Sequence, residues 1–151
     1  MRTLVAGSKA PDFELPDQDG KARRLDELLY NGPVALFFYP AALTTGCTKE
    51  SCHFRDLAAD FARVGAQRVG ISTDPVEKQL AFADAYELDY PLLSDEDGTV
   101  AESYGVRRRF LTPVKRATFV IGTDRVIRHV TASELSMDVH ADEAVEALRA
   151  L

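Results

Sequence analysis

Two cysteines carry the chemical interest of this chain. Cys47 and Cys52 stand five residues apart in Thr44-Thr45-Gly46-Cys47-Thr48-Lys49-Glu50-Ser51-Cys52. Ahead of them runs Val34-Ala35-Leu36-Phe37-Phe38-Tyr39, a continuous apolar stretch that ends at Pro40. Such a run reads as a strand buried on both faces, and the loop after it lies beyond a strand's carboxyl end, where α/β sheets bind ligands. Cys47 then falls in the first turn of a helix. Unpaired backbone N–H groups there favour negative charge, and so a thiolate able to serve as nucleophile or redox centre. Gly46 lets the backbone approach whatever binds. The plainer alternative, an inert buried cysteine, is disfavoured by the helix-start position and the second thiol.

The spacing constrains what the thiols can do together. In an ideal helix, residues five apart have Cα atoms separated by about 8–9 Å, beyond the ~7 Å limit for a disulfide. The two sulfurs therefore cannot bond while the helix is intact. If they bond during turnover, its first turns must unwind. The spacing also differs from the Cys-x-x-Cys of dithiol exchange. Cys47, Cys52 and His53 supply only three candidate metal ligands, and His129 and His140 are remote in sequence, so no metal is expected. Each histidine reads as a surface or packing residue, with His53 placed to tune Cys52.

The elements that must position this loop alternate between strand and helix. Phe13 to Leu25 reads as a hairpin turning at Asp19-Gly20, and Leu25 to Tyr30 as a short helix broken by Asn31-Gly32-Pro33. Cys47 to Val64 reads as one helix, with Phe54, Leu57, Ala58 and Phe61 on its apolar side. Gln67 to Thr73 is a strand. Asp74-Pro75 then starts a helix, Asp74 as N-cap and Pro75 at its first position, burying Leu80, Phe82, Ala83 and Tyr86. Tyr90 to Leu93 is extended, and Thr99 to Tyr104 is a short helix. Ala117 to Ile121 and Val126 to Thr131 form a hairpin across Gly122 to Arg125. Asp142 to Leu151 closes the chain as a helix, with Ala144, Val145, Leu148 and Leu151 on one side. The alternation gives an α/β fold, and the late hairpin makes the sheet mixed.

Composition sets the outer bounds. The chain has 151 residues, 46% of them apolar and 28% charged, enough for a single domain over 1–151 with its own core. The formal charge of −6 argues against nucleic-acid binding, as the phosphate backbone demands a basic face. Arg107-Arg108-Arg109 reads as a solvated loop, and Phe110, Leu111 and Pro113 after it as pocket wall or partner contact. No stretch approaches the roughly 20 apolar residues of a membrane span, and Met1 to Gly7 does not read as a signal peptide. A cytoplasmic location is expected.

The pattern Pro40-x-x-x-Thr44-x-x-Cys47 resembles the active-site motif of peroxiredoxins. With Cys52 it is similar to the subfamily called PrxQ or bacterioferritin comigratory protein. Further blocks carry the same resemblance in the same order: Ala10-Pro11-Asp12-Phe13, Gly46-Cys47-Thr48-Lys49-Glu50, Ile71-Ser72-Thr73-Asp74, Pro91-Leu92-Leu93-Ser94-Asp95, Tyr104-Gly105-Val106 and Arg116-Ala117-Thr118-Phe119-Val120-Ile121. The resemblance implies a thioredoxin-like fold with a central mixed sheet flanked by helices and an N-terminal hairpin. It implies that Cys47 is the peroxidatic cysteine, oxidised by peroxide to a sulfenic acid. Cys52 would resolve that acid as an intramolecular disulfide, and thioredoxin or a related dithiol would reduce it. No cofactor is implied. Thr44 would hydrogen-bond the thiolate or peroxide, Pro40 would shape and shield the pocket, and Arg116 would stabilise charge. Glu50 would hold Arg116, and the backbone at Gly46 would help cradle the site, with Thr45 beside it.

Two positions depart from that family. Thr45 stands where relatives commonly carry proline, adding an N–H and removing rigidity. Gly122-Thr123-Asp124-Arg125 replaces an Asp/Gly-rich turn. A general dithiol–disulfide oxidoreductase and a non-catalytic thioredoxin-fold binding module are the competing readings. Monomer and homodimer are both compatible with the sequence.

Overall fold

A computed structural model describes residues 2–151; Met1, the first residue of the segment weighed above as a leader, lies outside them. A five-stranded sheet forms the centre, in the order β5-β4-β3-β6-β7. These strands are β3 (Val34–Phe38), β4 (Gln67–Ser72), β5 (Leu92–Ser94), β6 (Ala117–Ile121) and β7 (Ile127–Ala132). β3 and β4 run parallel, as do β4 and β5, whereas β6 is antiparallel to both β3 and β7. A separate hairpin, β1 (Glu14–Pro16) with β2 (Ala22–Arg24), precedes α1 (Leu25–Leu28). This is the mixed, thioredoxin-like sheet with an N-terminal hairpin.

The period-2 pleat of β3 sorts its side chains onto two cores. Val34, Leu36 and Phe38 pack with Phe13, Leu25, Tyr104 and Phe119 on one face. Ala35, Phe37 and Tyr39 pack with Cys47, Phe54, Phe61, Phe82 and Leu148 on the other. That second face is covered by α2 (Thr45–Asp56), α3 (Ala58–Arg63), α4 (Val76–Tyr86) and α6 (Asp138–Arg149), while α1 and α5 (Thr99–Ser103) cover the first. The Phe54 ring stacks on Phe37 at 4.1 Å and fixes α2 against the sheet. Burying one such side chain contributes roughly 1.5–3 kcal/mol.

Several boundaries differ from the sequence-based expectation. The helix expected over Cys47 to Val64 begins at Thr45 and breaks at Leu57, whose backbone (φ −92°, ψ 18°) leaves the helical region. Leu57 and Ala58 are half-buried, so the apolar stripe is carried by Phe54 and Phe61. Pro75 is extended (ψ 164°) and flanks α4 rather than starting it, so Asp74 does not cap that helix. Leu80 faces solvent, and Gln79 takes the buried place, accepting the Tyr39 hydroxyl. α6 begins a turn earlier than Asp142, and Leu151 lies exposed beyond it.

Candidate active site

β3 delivers the chain into the loop at Pro40, which is buried at the strand's end. The Tyr39 N–H still bonds Ile71 O, so the sheet holds the chain to the last residue before the loop. Asp74 then secures the loop itself: its carboxylate accepts the Ala42 N–H at 2.7 Å and the Ser72 hydroxyl at 2.7 Å. The residue that fails as a helix cap thus ties the end of β4 to the end of β3. Leu43 takes a left-handed conformation (φ 67°), and Thr44 enters α2. The first intrahelical bond runs from Thr48 N to Thr44 O, leaving the N–H groups of Thr45, Gly46 and Cys47 at the open end.

Cys47 is only 1% exposed, and its thiol is free. Arg116, the residue immediately before β6, reaches it with Nη2 at 3.4 Å. The same guanidinium donates through Nη1 to Glu50 Oε1 at 2.9 Å. Burial works against the charge of Arg116, but Glu50 and the Cys47 sulfur more than offset this and hold it protonated. Burial also pushes the Glu50 carboxyl up to about 8, against the pull of Arg116. A Cβ at Gly46 would meet Arg116 Nη2 at 3.3 Å and the Met137 sulfur at 3.4 Å. Gly46 is therefore what allows the guanidinium to reach across the helix start.

Cys52 is half-buried on the same helix, and its thiol is free. Burial pushes it up, with Arg55 opposing. Both cysteines lie within an unbroken α2, so in this conformation the helix holds the thiols apart.

Residues 6–130 match the AhpC/TSA family. The chain belongs to that family. This peroxiredoxin is 63% identical over 151 residues to a putative peroxiredoxin of Mycobacterium tuberculosis, covering 98% of each chain. It is 40% identical over 150 residues to the chloroplastic peroxiredoxin Q of Sedum lineare, covering 98% of this chain and 80% of that one. The crystal structure of peroxidoxin BcpB from Mycobacterium tuberculosis superposes with a TM-score of 0.95 at 62% identity, over 98% of both chains. The fold and family make the protein a thiol peroxidase.

Of the residues singled out in the sequence, the peroxiredoxin fold gathers Cys47, Glu50 and Arg116 into contact, with Gly46 against them. Thr44 departs from expectation. Its hydroxyl donates to Ala41 O at 2.7 Å, closing the loop on itself rather than donating to the sulfur; only its lone pairs remain free to accept. Thr45 is exposed. His53 turns away from Cys52 and pairs with Asp142 at 2.8 Å. Phe110 and Leu111 point into solvent, 81% and 95% exposed. Among the described residues, no group of three or more His, Cys, Asp or Glu is placed to hold a metal ion, and no helix is long and apolar enough to cross a membrane.

Sequence reasoning missed Glu134, which accepts the Arg116 N–H at 2.8 Å and the Arg108 guanidinium at 3.1 Å. It also missed Met137 beside Gly46, and His140, fully buried against Glu50. None of the three carries a local signal, since a loop and a helix from the far end of the chain bring them in.

Proposed function

We propose that this peroxiredoxin, acting as a single domain, reduces hydrogen peroxide and organic hydroperoxides through Cys47. The supporting observation is the Arg116 guanidinium shared between the Cys47 sulfur and Glu50 at the start of α2. A thiolate at that point attacks the terminal peroxide oxygen. An S–O bond forms and the O–O bond breaks, and the alkoxide or hydroxide leaves with the electron pair and takes up a proton. Cys47 is left as a sulfenic acid. Arg116 and the open N–H groups face the charge that passes from sulfur to leaving oxygen. Pro40 shields the sulfur, Glu50 orients Arg116, and Thr44 has lone pairs free to accept from the hydroperoxide O–H.

Cys52 then attacks the sulfenic sulfur, forming a disulfide and releasing water. Since α2 holds the cysteines apart, its front turns unwind first. Thioredoxin or a related dithiol reduces the disulfide and is itself oxidised. This is the atypical two-cysteine cycle, placed in the cytoplasm.

The experiment is peroxide consumption coupled to thioredoxin, with mass analysis after one equivalent of peroxide. The wild type should lose two hydrogens and block both thiols to alkylation. Cys47→Ser should lose turnover entirely. Cys52→Ser should react once and then stall or over-oxidise. Equal rates in wild type and Cys47→Ser would overturn the reading, and normal turnover in Cys52→Ser would remove Cys52 from it. Reduction of insulin disulfides without peroxide would favour a general oxidoreductase instead.

A further inference from the structure

Arg116 reaches Cys47 from the open end of a strand. β6 is paired on both sides from Ala117 onward, with Phe38 of β3 and Ala132 of β7 opposite that residue. Arg116 stands one residue outside both ladders. β7 ends at Ala132, so its chain has left the sheet where the Arg116 N–H needs an acceptor. A carboxylate takes the place of the missing strand carbonyl: Glu134 Oε1 accepts that N–H at 2.8 Å, the one acceptor it finds among the described residues. The same oxygen accepts from Arg108 Nη2 at 3.1 Å. Arg108 belongs to a small hairpin, closed by the bridge of Arg107 to Val114, that feeds directly into Arg116. One residue before Arg116, the Lys115 N–H bonds Val106 O at 2.9 Å.

The carboxylate is itself held in place. Its neighbour Ser133 presents a carbonyl 2.8 Å from His140 Nε2; a carbonyl can only accept, so the buried ring donates there. The other ring nitrogen pairs with the Thr118 hydroxyl at 2.8 Å. Thr118 lies on β6, two residues after Arg116, so a closed circuit of bonds runs from β6 through α6 and back to the Arg116 N–H. Ser133 Oγ accepts from the Ser136 N–H at 3.1 Å and turns the segment back on itself. Three residues past Glu134, the Met137 sulfur packs beside Gly46, on the path of Arg116 Nη2. Segment 133–137 thus meets Arg116 twice, at its backbone and along the course of its guanidinium.

We propose that Glu134 is a positioning residue: by holding the Arg116 N–H it fixes the point from which that side chain reaches the Cys47 sulfur at 3.4 Å and Glu50 at 2.9 Å. This role rests on the reading of Cys47 as the reacting thiol. A preorganised cation acts on developing charge only while its geometry is kept, and a small misplacement is costly. What the position requires is an acceptor oxygen rather than a charge. The ion pair with Arg108 is open to solvent, its side chains 30% and 40% exposed, and contributes little by itself. A glutamine at 134 would keep the oxygen and drop the charge.

The test is a cycle of variants, read as the rate of Cys47 oxidation by hydrogen peroxide in the full reduced chain. Glu134→Ala should slow it about tenfold, and Glu134→Gln should recover most of that loss. In an Arg116→Met background, Glu134→Ala should cost less than about twofold, because the group it positions is gone. An equal loss in both backgrounds would overturn the proposal, as would a Glu134→Gln variant no faster than Glu134→Ala. Amide hydrogen exchange followed by NMR reads the same hold without peroxide. The Arg116 amide should be protected in the wild type and in Glu134→Gln, and should lose about tenfold in protection in Glu134→Ala while the amides of β6 keep theirs. Unchanged protection of Arg116, or a loss spread along all of β6, would overturn the proposal. A wild type inert to peroxide would overturn the Cys47 assignment and this role with it. An active wild type whose rate Glu134→Ala leaves intact would overturn this role alone.

Discussion

The two halves of α2 are held in place by different physics. The rear half is clamped by contacts that do not depend on the redox state of sulfur. Phe54 stacks on Phe37, Tyr90 donates to Ser51 O at 2.7 Å, Arg68 donates to Phe54 O at 3.1 Å, and Arg55 donates to Tyr86 O. The front half depends on one charged cluster, Arg116 between Glu50 and Cys47, and the exposed residues Leu43, Thr44 and Thr45 lead into it. In the proposed cycle, oxidation of Cys47 to a sulfenic acid changes the sulfur that Arg116 faces and loosens that contact. On that proposal the chemistry weakens the turns whose opening the Cys47–Cys52 disulfide would require, while the clamped end keeps the helix attached to the sheet.

That contrast can be broken from either side. The largest effect belongs to the rear: Phe54→Ala empties a fully buried ring site and should cost about 3–5 kcal/mol of stability, read by denaturant unfolding. A loss below 1 kcal/mol would mean the stack is not a clamp. Next comes the front. Arg116→Met keeps the stem but removes the charge, and should slow peroxide oxidation of Cys47 by about 10²–10³-fold, with a much smaller change in the unfolding midpoint. A variant that mainly lost stability would reverse the roles given to the two halves. The smallest effect is local. In the oxidised protein the amides from Thr48 to Ser51 should lose roughly tenfold in hydrogen-exchange protection, and those from Phe54 to Asp56 should keep theirs. Equal loss along the whole helix would erase the distinction.

How much of this could be read from the chain depended on how local each cause was. The apolar run of β3, the helix start at Cys47 and the hairpin of β6 and β7 follow from short-range pattern, and the structure reproduces them within a residue or two. Arg116 was reachable through its place beside a buried strand and its motif. Asp74 was misread because an Asp-Pro pair is a good local helix start, yet Pro75 stays extended and a tertiary bond to Ala42 takes the carboxylate. Gln79 and Leu80 exchange expected roles because a buried hydroxyl, Tyr39, demands a polar partner on α4. Glu134 and His140 become meaningful only when α6 and the chain before it close over Glu50, and nothing beside them in sequence announces that.

The sheet's change of direction at β3 decides which residues meet there. Phe38 faces Ile71 across the parallel pairing and Ala117 across the antiparallel one. The same edge of the sheet therefore receives the exit of β4, with Ser72 and Asp74, and the entrance of β6, with Arg116. Were β6 parallel to β3, its entrance would lie at the opposite rim, about 17 Å away for a five-residue strand. Strand polarity here works as an address: it lets an anchor for the loop and a cation for the sulfur arrive from separate stretches of chain at one rim, with no long side chain needed to span the sheet.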